Sequence, residues 1–421
     1  MIKTIYIHIG GHKTGSTYIQ QSLGKIRDIL LVRGCLYPLF EIDGTLVNNH
    51  SVPFHSIFSK YSEFYRPNVL RGYDTPDKVR HLNANHKKQL SQQLDKFDGE
   101  TLIISGEDIS TLDQEGIQNL KEYLLSITNG DAAIKIIFYC RHPITYARSH
   151  IQEVVKGGQI LEQEMENYAS FARSHYQTRL GNFLSVFSHD DISVIKYEDA
   201  ISHTNGLLGA FLSVVGMDPS LGEDLKDNRA NRSLSYESIS LINAINRNVP
   251  RFVNHAPNPE WSACGHRLIR QISGAKFHLD REYNLRIWSE SHDDMTWLCK
   301  NFSLSPYQFS EEDASENQRW DTDVLEQIHD LLPRVPLFAR DIILSEIREQ
   351  KTRHEHCFSQ CKISQVEKFT SFHARITSSK NRIANVLHHY KIFGSKRTCR
   401  YYGRKFLREF SRLFWRIDKR F

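Results

Sequence analysis

Apolar residues alternate at Ile5, Ile7 and Ile9, a glycine-rich run follows, and Ile19, Leu23, Ile26 and Leu30 then recur at helical spacing. A period of two giving way to one near 3.6 predicts a strand, a tight connection and a helix packed back on the strand. The alternation continues along the chain. Residues 77–98 carry a helical pattern, residues 101–105 a short apolar run that reads as a buried strand, residues 114–127 a second helix and residues 134–140 another buried strand. Helices dominate from there to about residue 188, a strand is predicted over 192–197, and a helix over 205–215 is closed by Gly216. Residues 32–75 are rich in aromatic residues, His, Gly, Pro and Asn and weak in periodicity, which predicts an irregular segment crossing the sheet edge. Strands alternating with helices imply an α/β fold, a parallel sheet flanked by helices with ligands at the carboxyl ends of its strands. Beyond residue 230 the pattern is mainly helical, with no internal repeat.

The 421 residues have room for one large α/β domain with an appendage. Hydrophobic residues at 40% and charged residues at 24% fit a soluble globular chain, and no apolar run approaches the ~20 residues of a spanning helix. The chain enters its first strand without a basic and then apolar leader, so the expected location is the cytoplasm. Charge is unevenly spread. Residues 351–421 hold 18 Lys/Arg against 4 Asp/Glu, a net of +14, which leaves −9 for residues 1–350. The expected organisation is therefore an α/β domain over 1–350, with a helical part at 230–350, and a basic extension over 351–421.

In that extension Phe406, Phe410, Leu413, Phe414, Ile417 and Phe421 recur at helical spacing among Arg404, Lys405, Arg408, Arg412, Arg416, Lys419 and Arg420, which predicts a basic amphipathic terminal helix. It suits peripheral attachment through residues 400–421 to an anionic membrane surface at the inner face, where each nearby Lys or Arg contributes about 1 kcal/mol. It equally suits packing on the protein or on a second copy. No nucleic-acid partner is expected. Seven scattered cysteines argue against a disulfide framework, and His354, His356, Cys357 and Cys361 match no zinc spacing, so no metal is expected.

The candidate chemistry lies at residues 8–17, His-Ile-Gly-Gly-His-Lys-Thr-Gly-Ser-Thr. Glycines let the backbone turn with its N–H groups inward, Ser16 and Thr17 add hydroxyl donors, and the new helix contributes the positive end of its dipole, so the loop suits a phosphate or sulfate. Nucleoside-triphosphate loops place a lysine directly after the last glycine. Here Ser16 follows Gly15 and the lysine is Lys13, which disfavours ATP or GTP hydrolysis. A second element is the apolar run 134–140 ending in Arg141, followed by Pro143 in a position suited to a first helical turn and by Ser149 on that helix.

The pattern Gly10, Lys13, Gly15, Ser16, Thr17 resembles the 5′-phosphosulfate loop of sulfotransferases that use 3′-phosphoadenosine 5′-phosphosulfate (PAPS), and Arg141 with Ser149 resembles their 3′-phosphate pair. Asn49-His50, Ser105 to Glu107, Tyr197-Glu198 and the run Asn231 to Ser235 look like landmarks of bacterial glycan-type members, so the resemblance spans roughly residues 1–320. It implies a P-loop-type sheet, PAPS as donor with PAP as product, no metal, and a carbohydrate acceptor, polysaccharide or glycolipid, meeting the enzyme in segment 32–75. Gly11, His12, Lys13, Thr14, Gly15, Ser16, Thr17, Arg141 and Ser149 are the implied donor-binding residues. Lys13 is also expected to stabilise the departing phosphate, and Glu107 or His50 to act as the general base. A P-loop kinase with a displaced lysine and a non-enzymatic nucleotide or anionic-lipid binder are the alternatives.

Overall fold

The computed structural model describes residues 1–353 apart from 129, 172–174, 226–232, 255 and 311–319. The basic helix expected over 400–421, the group His354 to Cys361, and Asn231 and Arg232 lie outside the described residues. The chain divides into two units, Met1–Ile347 and Arg348–Phe421, and the first carries the elements below.

Seven strands are used here: β1 Thr4–His8, β2 Cys35–Leu36, β3 Phe40–Ile42, β4 Thr45–Val47, β5 Thr101–Ser105, β6 Ala133–Cys140 and β7 Ile192–Lys196. The central sheet is five-stranded and wholly parallel in the order β2-β5-β1-β6-β7, while β3 and β4 form a separate hairpin. In β1 the alternation sorts side chains between the two faces. Ile5, Ile7 and Ile9 join a core with Leu102, Ile104, Ile136 and Phe138, whereas Ile103, Ile137 and Tyr139 pack on the opposite face against Ile19, Leu23 and Phe211. Strands buried on both faces read as continuous apolar runs, which is why these segments were visible in the sequence.

The first helical pattern forms two helices, Ser16–Lys25 and Arg27–Val32, with Ile26 between them, and its four apolar positions are buried as the spacing predicts. Two expectations need correction. Segment 32–75 is more ordered than its composition suggested, because β2 pairs with β5 as an edge strand and Ser51–Phe58 is a helix. Tyr197 ends no strand: it begins the helix Tyr197–Ile201.

β1 lies between β5 and β6, and the chain crosses from one side of it to the other between those two strands. Such a reversal opens a crevice at the carboxyl ends of the strands. The loop after β1, Glu107 after β5, Arg141 after β6 and the Tyr197-Glu198 pair after β7 all stand at that edge. The helical C-terminal part buttresses it. Asn246 Nδ2 donates to the Val155 carbonyl (2.8 Å) and Gln152 Oε1 accepts from Leu234 N–H (2.8 Å), so helix Tyr236–Asn248 and its leading turn grip helix Pro143–Lys156.

Candidate functional site

The loop after β1 is shaped by its glycines and braced by Thr14. Gly15 has φ +80° and forms the helix N-cap, which no side chain caps. A Cβ on Gly11 would come within 2.5 Å of the Tyr139 carbonyl oxygen, so only glycine lets the loop lie against β6. Thr14 Oγ1 donates to the Gly11 carbonyl (2.5 Å) and accepts from Gly11 N–H (3.2 Å). Its hydroxyl therefore holds the loop shut on itself. Lys13 is left-handed, φ +66°, an uncommon state for a residue with a side chain and one that clusters at binding sites. Ser16 is buried and its Oγ has no hydrogen-bond partner among the described residues, while Thr17 is exposed on the first turn. A buried hydroxyl without a partner is costly unless something else meets it.

Arg141 reaches this loop from the neighbouring strand end. Its Nη1 donates to the Lys13 carbonyl (2.5 Å) and its Nε to Thr145 Oγ1 (3.1 Å). The guanidinium carbon lies 4.8 Å from the centre of the Tyr197 ring, a cation–π contact. Glu198 Oε1 accepts from His142 N–H (3.0 Å) and so caps the helix that follows Arg141. The Tyr-Glu pair after β7 thus supports the arginine from below and orients its helix. Ser149 is half-buried on that helix.

Glu107 stands beside the loop, and a Cβ on Gly10 would lie 3.6 Å from its own Cβ. Burial pushes the Glu107 carboxyl above the usual range, with Asp108 adding to the rise, while a hydrogen bond from Gln20 Nε2 (2.9 Å) and the charge of Lys13 act against it. His50 is placed differently. It is fully buried, Nδ1 accepts from Ser105 N–H (2.9 Å) and Nε2 donates to the Pro38 carbonyl (2.7 Å), and burial pushes its pKa down to about 4. Both ring nitrogens are engaged with backbone, so His50 is a neutral brace between segment 32–75 and β5. This leaves Glu107 as the candidate base. His50→Ala is expected to lower stability by about 3 kcal/mol, through a cavity and two lost bonds; thermal unfolding checks this.

Several residues in the crevice were not legible beforehand. Glu153 Oε2 lies 3.6 Å from both Lys13 Nζ and Lys156 Nζ, so one carboxylate oxygen is shared by two ammonium groups. Burial pulls the Lys13 ammonium below its ordinary pKa, partly countered by Glu153. His12 Nε2 is 3.7 Å from Asp108 Oδ1, and the other Asp108 oxygen accepts the Tyr65 hydroxyl. Burial, then the charge of Arg179, bring His12 down to about 4, and His150 is depressed to about 4 by burial and Lys13. Both imidazoles are neutral near pH 7. Among the described residues no group of three or more His, Cys, Asp or Glu is placed to hold a metal ion, and no helix is long and apolar enough to cross a membrane.

Fold and site together define an α/β protein with a glycine-rich loop after its first strand, a strand-end arginine tied to that loop, and a half-buried carboxylate beside it. No protein-family model and no curated relative matches the chain. Among solved structures it is similar to a sulfotransferase from Alicyclobacillus acidocaldarius, at 12% identity and a TM-score of 0.40 over 72% of this chain and 98% of that one. It is also similar to the sulfotransferase domain from the curacin biosynthetic pathway, at 14% identity and a TM-score of 0.32 over 69% of this chain and 98% of that one. At these values the chemistry of the site rests on the residues described above.

Proposed function

We propose that the protein is a sulfotransferase that moves a sulfuryl group from PAPS to a hydroxyl of a carbohydrate acceptor, a polysaccharide or glycolipid. The observation that carries this reading is the hydrogen bond from Arg141 to the Lys13 carbonyl, which joins the two segments resembling opposite phosphate sites at one sheet edge. The loop also fits an oxyanion: Ser16 Oγ is buried without a partner among the described residues, and the loop has no side chain where Gly11 meets β6. Bound PAPS supplies the activated sulfuryl group. The chain's own residues do the rest. N–H groups from Gly15 to Thr17 and the Ser16 hydroxyl would hold the 5′-phosphate. The Lys13 ammonium neutralises charge growing on the departing phosphate, the role that fixed cations take in phosphoryl transfer. Arg141, with Ser149, binds the 3′-phosphate through its planar fork. Glu107, raised by burial but kept in place by Gln20, takes the proton of the attacking hydroxyl.

Thermal unfolding with PAP, ATP and GTP tests the donor. PAP at a hundred times its dissociation constant is expected to add about 2.7 kcal/mol of stability, with ATP and GTP adding much less. Transfer of labelled sulfate from PAPS to glycan acceptors is the companion assay. An equal or larger response to ATP with no sulfate transfer would overturn the reading.

A further inference from the structure

We infer that Gln20 is the positioning residue for Glu107, linking the base to the helix that begins at the phosphate loop; the inference rests on the sulfotransferase reading. Gln20 is almost wholly buried, at 1% exposure, and a buried amide keeps its place only if its polar atoms are partnered. Its Nε2 donates to Glu107 Oε2 (2.9 Å) and more weakly to the Ser105 carbonyl (3.4 Å), both across 85 or more residues of sequence. The same helix presents Ser16 one turn earlier, and residues four apart share a helical face. One helical face therefore carries both the unpartnered hydroxyl at the phosphate loop and the amide that grips the base. A carboxylate rotates freely about its last bonds unless something fixes it, and proton abstraction requires the lone pair to face the hydroxyl. Gln20 supplies that constraint at Oε2, beside a hydrogen bond from the residue's own backbone N–H.

Charge identifies the expected signature. Glu107 is faced by Asp108 on its own turn, by Lys13 from the loop, and by the Tyr37 and Tyr65 phenols from segment 32–75. Of these Lys13 favours the ionised carboxylate, Asp108 disfavours it, and the phenols are neutral below strongly basic pH. The Gln20 hydrogen bond favours the ionised form, so its loss raises a pKa that burial has already raised. A base must be deprotonated to work. Removing Gln20 therefore shifts the acidic limb of the kcat–pH profile to higher pH.

The test compares wild type with Gln20→Met, which keeps the length and buried apolar volume while deleting the donor. Expected are a kcat about tenfold lower, short of the roughly 100-fold that losing a general base costs, an unchanged KM for PAPS, and an acidic limb displaced upward. Glu107→Gln should abolish the limb in both backgrounds. An unchanged kcat and limb in Gln20→Met would overturn the inference. A second measurement is independent of turnover: in protein carrying 13C-labelled Glu carboxylates, the resonance missing from Glu107→Gln should titrate at higher pH in Gln20→Met. If that titration moves while no sulfate is transferred, the positioning stands and the assigned reaction fails; if it does not move, Gln20 does not hold Glu107. An unchanged PAP-induced melting shift in Gln20→Met guards against misfolding.

Discussion

Lys13→Ala is expected to cut sulfate transfer by at least about 100-fold, the scale on which a fixed donor to developing negative charge acts, while PAP still raises the melting temperature. The two halves separate because the groups assigned to phosphate binding are the loop N–H groups, Ser16 and Arg141, none of which needs the lysine side chain. Backbone effects have to be controlled, since Lys13 is left-handed and alanine, like lysine, carries there a Cβ penalty on the order of 1 kcal/mol. Lys13→Asn tolerates that conformation and removes the same charge. Both variants should therefore lose turnover alike while differing in melting temperature. The pairing with Glu153 sharpens the expectation, because Lys156 remains to neutralise that carboxylate when Lys13 is gone. Unchanged turnover in Lys13→Asn would remove Lys13 from the chemistry.

The sequence was most informative where short-range pattern and backbone demand coincide. Buried parallel strands give unbroken apolar runs, and residues 101–105 appear as β5 with those same bounds. The loop was legible because glycine, lysine and hydroxyl residues had to fall within ten positions. What one chain could not display was the pairing of distant segments. Gln20 meets Glu107, and Glu153 meets Lys13, only after the sheet has brought β1, β5 and β6 together, and neither residue type carries a signal of its own. His50 illustrates the opposite error. A histidine in an irregular, polar stretch suggested proton chemistry, yet its ring is tied at both nitrogens to backbone groups of Pro38 and Ser105. Long-range backbone bonds to a side chain leave no periodicity behind. Segment 32–75 hid its order for a related reason, since β2 has only Cys35 and Leu36, too few residues to show an alternation.

Electrostatics gives the crevice a division of labour. Burial acts on Lys13, Glu107, His12 and His150 alike, favouring the uncharged form of each, and specific partners then set them apart. Glu153 and Glu107 both act on Lys13, yet Glu153 is held low by two ammonium groups and Glu107 is raised by desolvation. Two carboxylates with opposed shifts around one cation have different tasks. Glu153 offsets the charge of Lys13 and Lys156, and Glu107, whose carboxyl burial raises, is the one left as the candidate for proton exchange.

Arg141→Ala is expected to weaken PAPS far more than adenosine 5′-phosphosulfate, which lacks the 3′-phosphate. A hydrogen bond to a charged group is worth about 2 kcal/mol, or roughly 30-fold in affinity, and that is the differential loss expected between the two donors. The common loss has a separate origin. Arg141 also donates to the Lys13 carbonyl, so its removal loosens the loop and should lower kcat with either donor. Arg141→Lys divides these effects further, because a single ammonium cannot reach Thr145, the Lys13 carbonyl and a phosphate from one planar fork, and it stacks less well on Tyr197. It should keep part of the PAPS preference and little of the kcat. Tyr197→Leu, which removes the ring stacked on the guanidinium and with it a neighbour of Gly15, should fall between wild type and Arg141→Lys for PAPS. Dissociation constants for PAP and for adenosine 5′-phosphosulfate, measured by calorimetry on each variant, decide the matter. Equal losses for both ligands in Arg141→Ala would mean that the arginine serves the loop alone, and that the 3′-phosphate is held elsewhere.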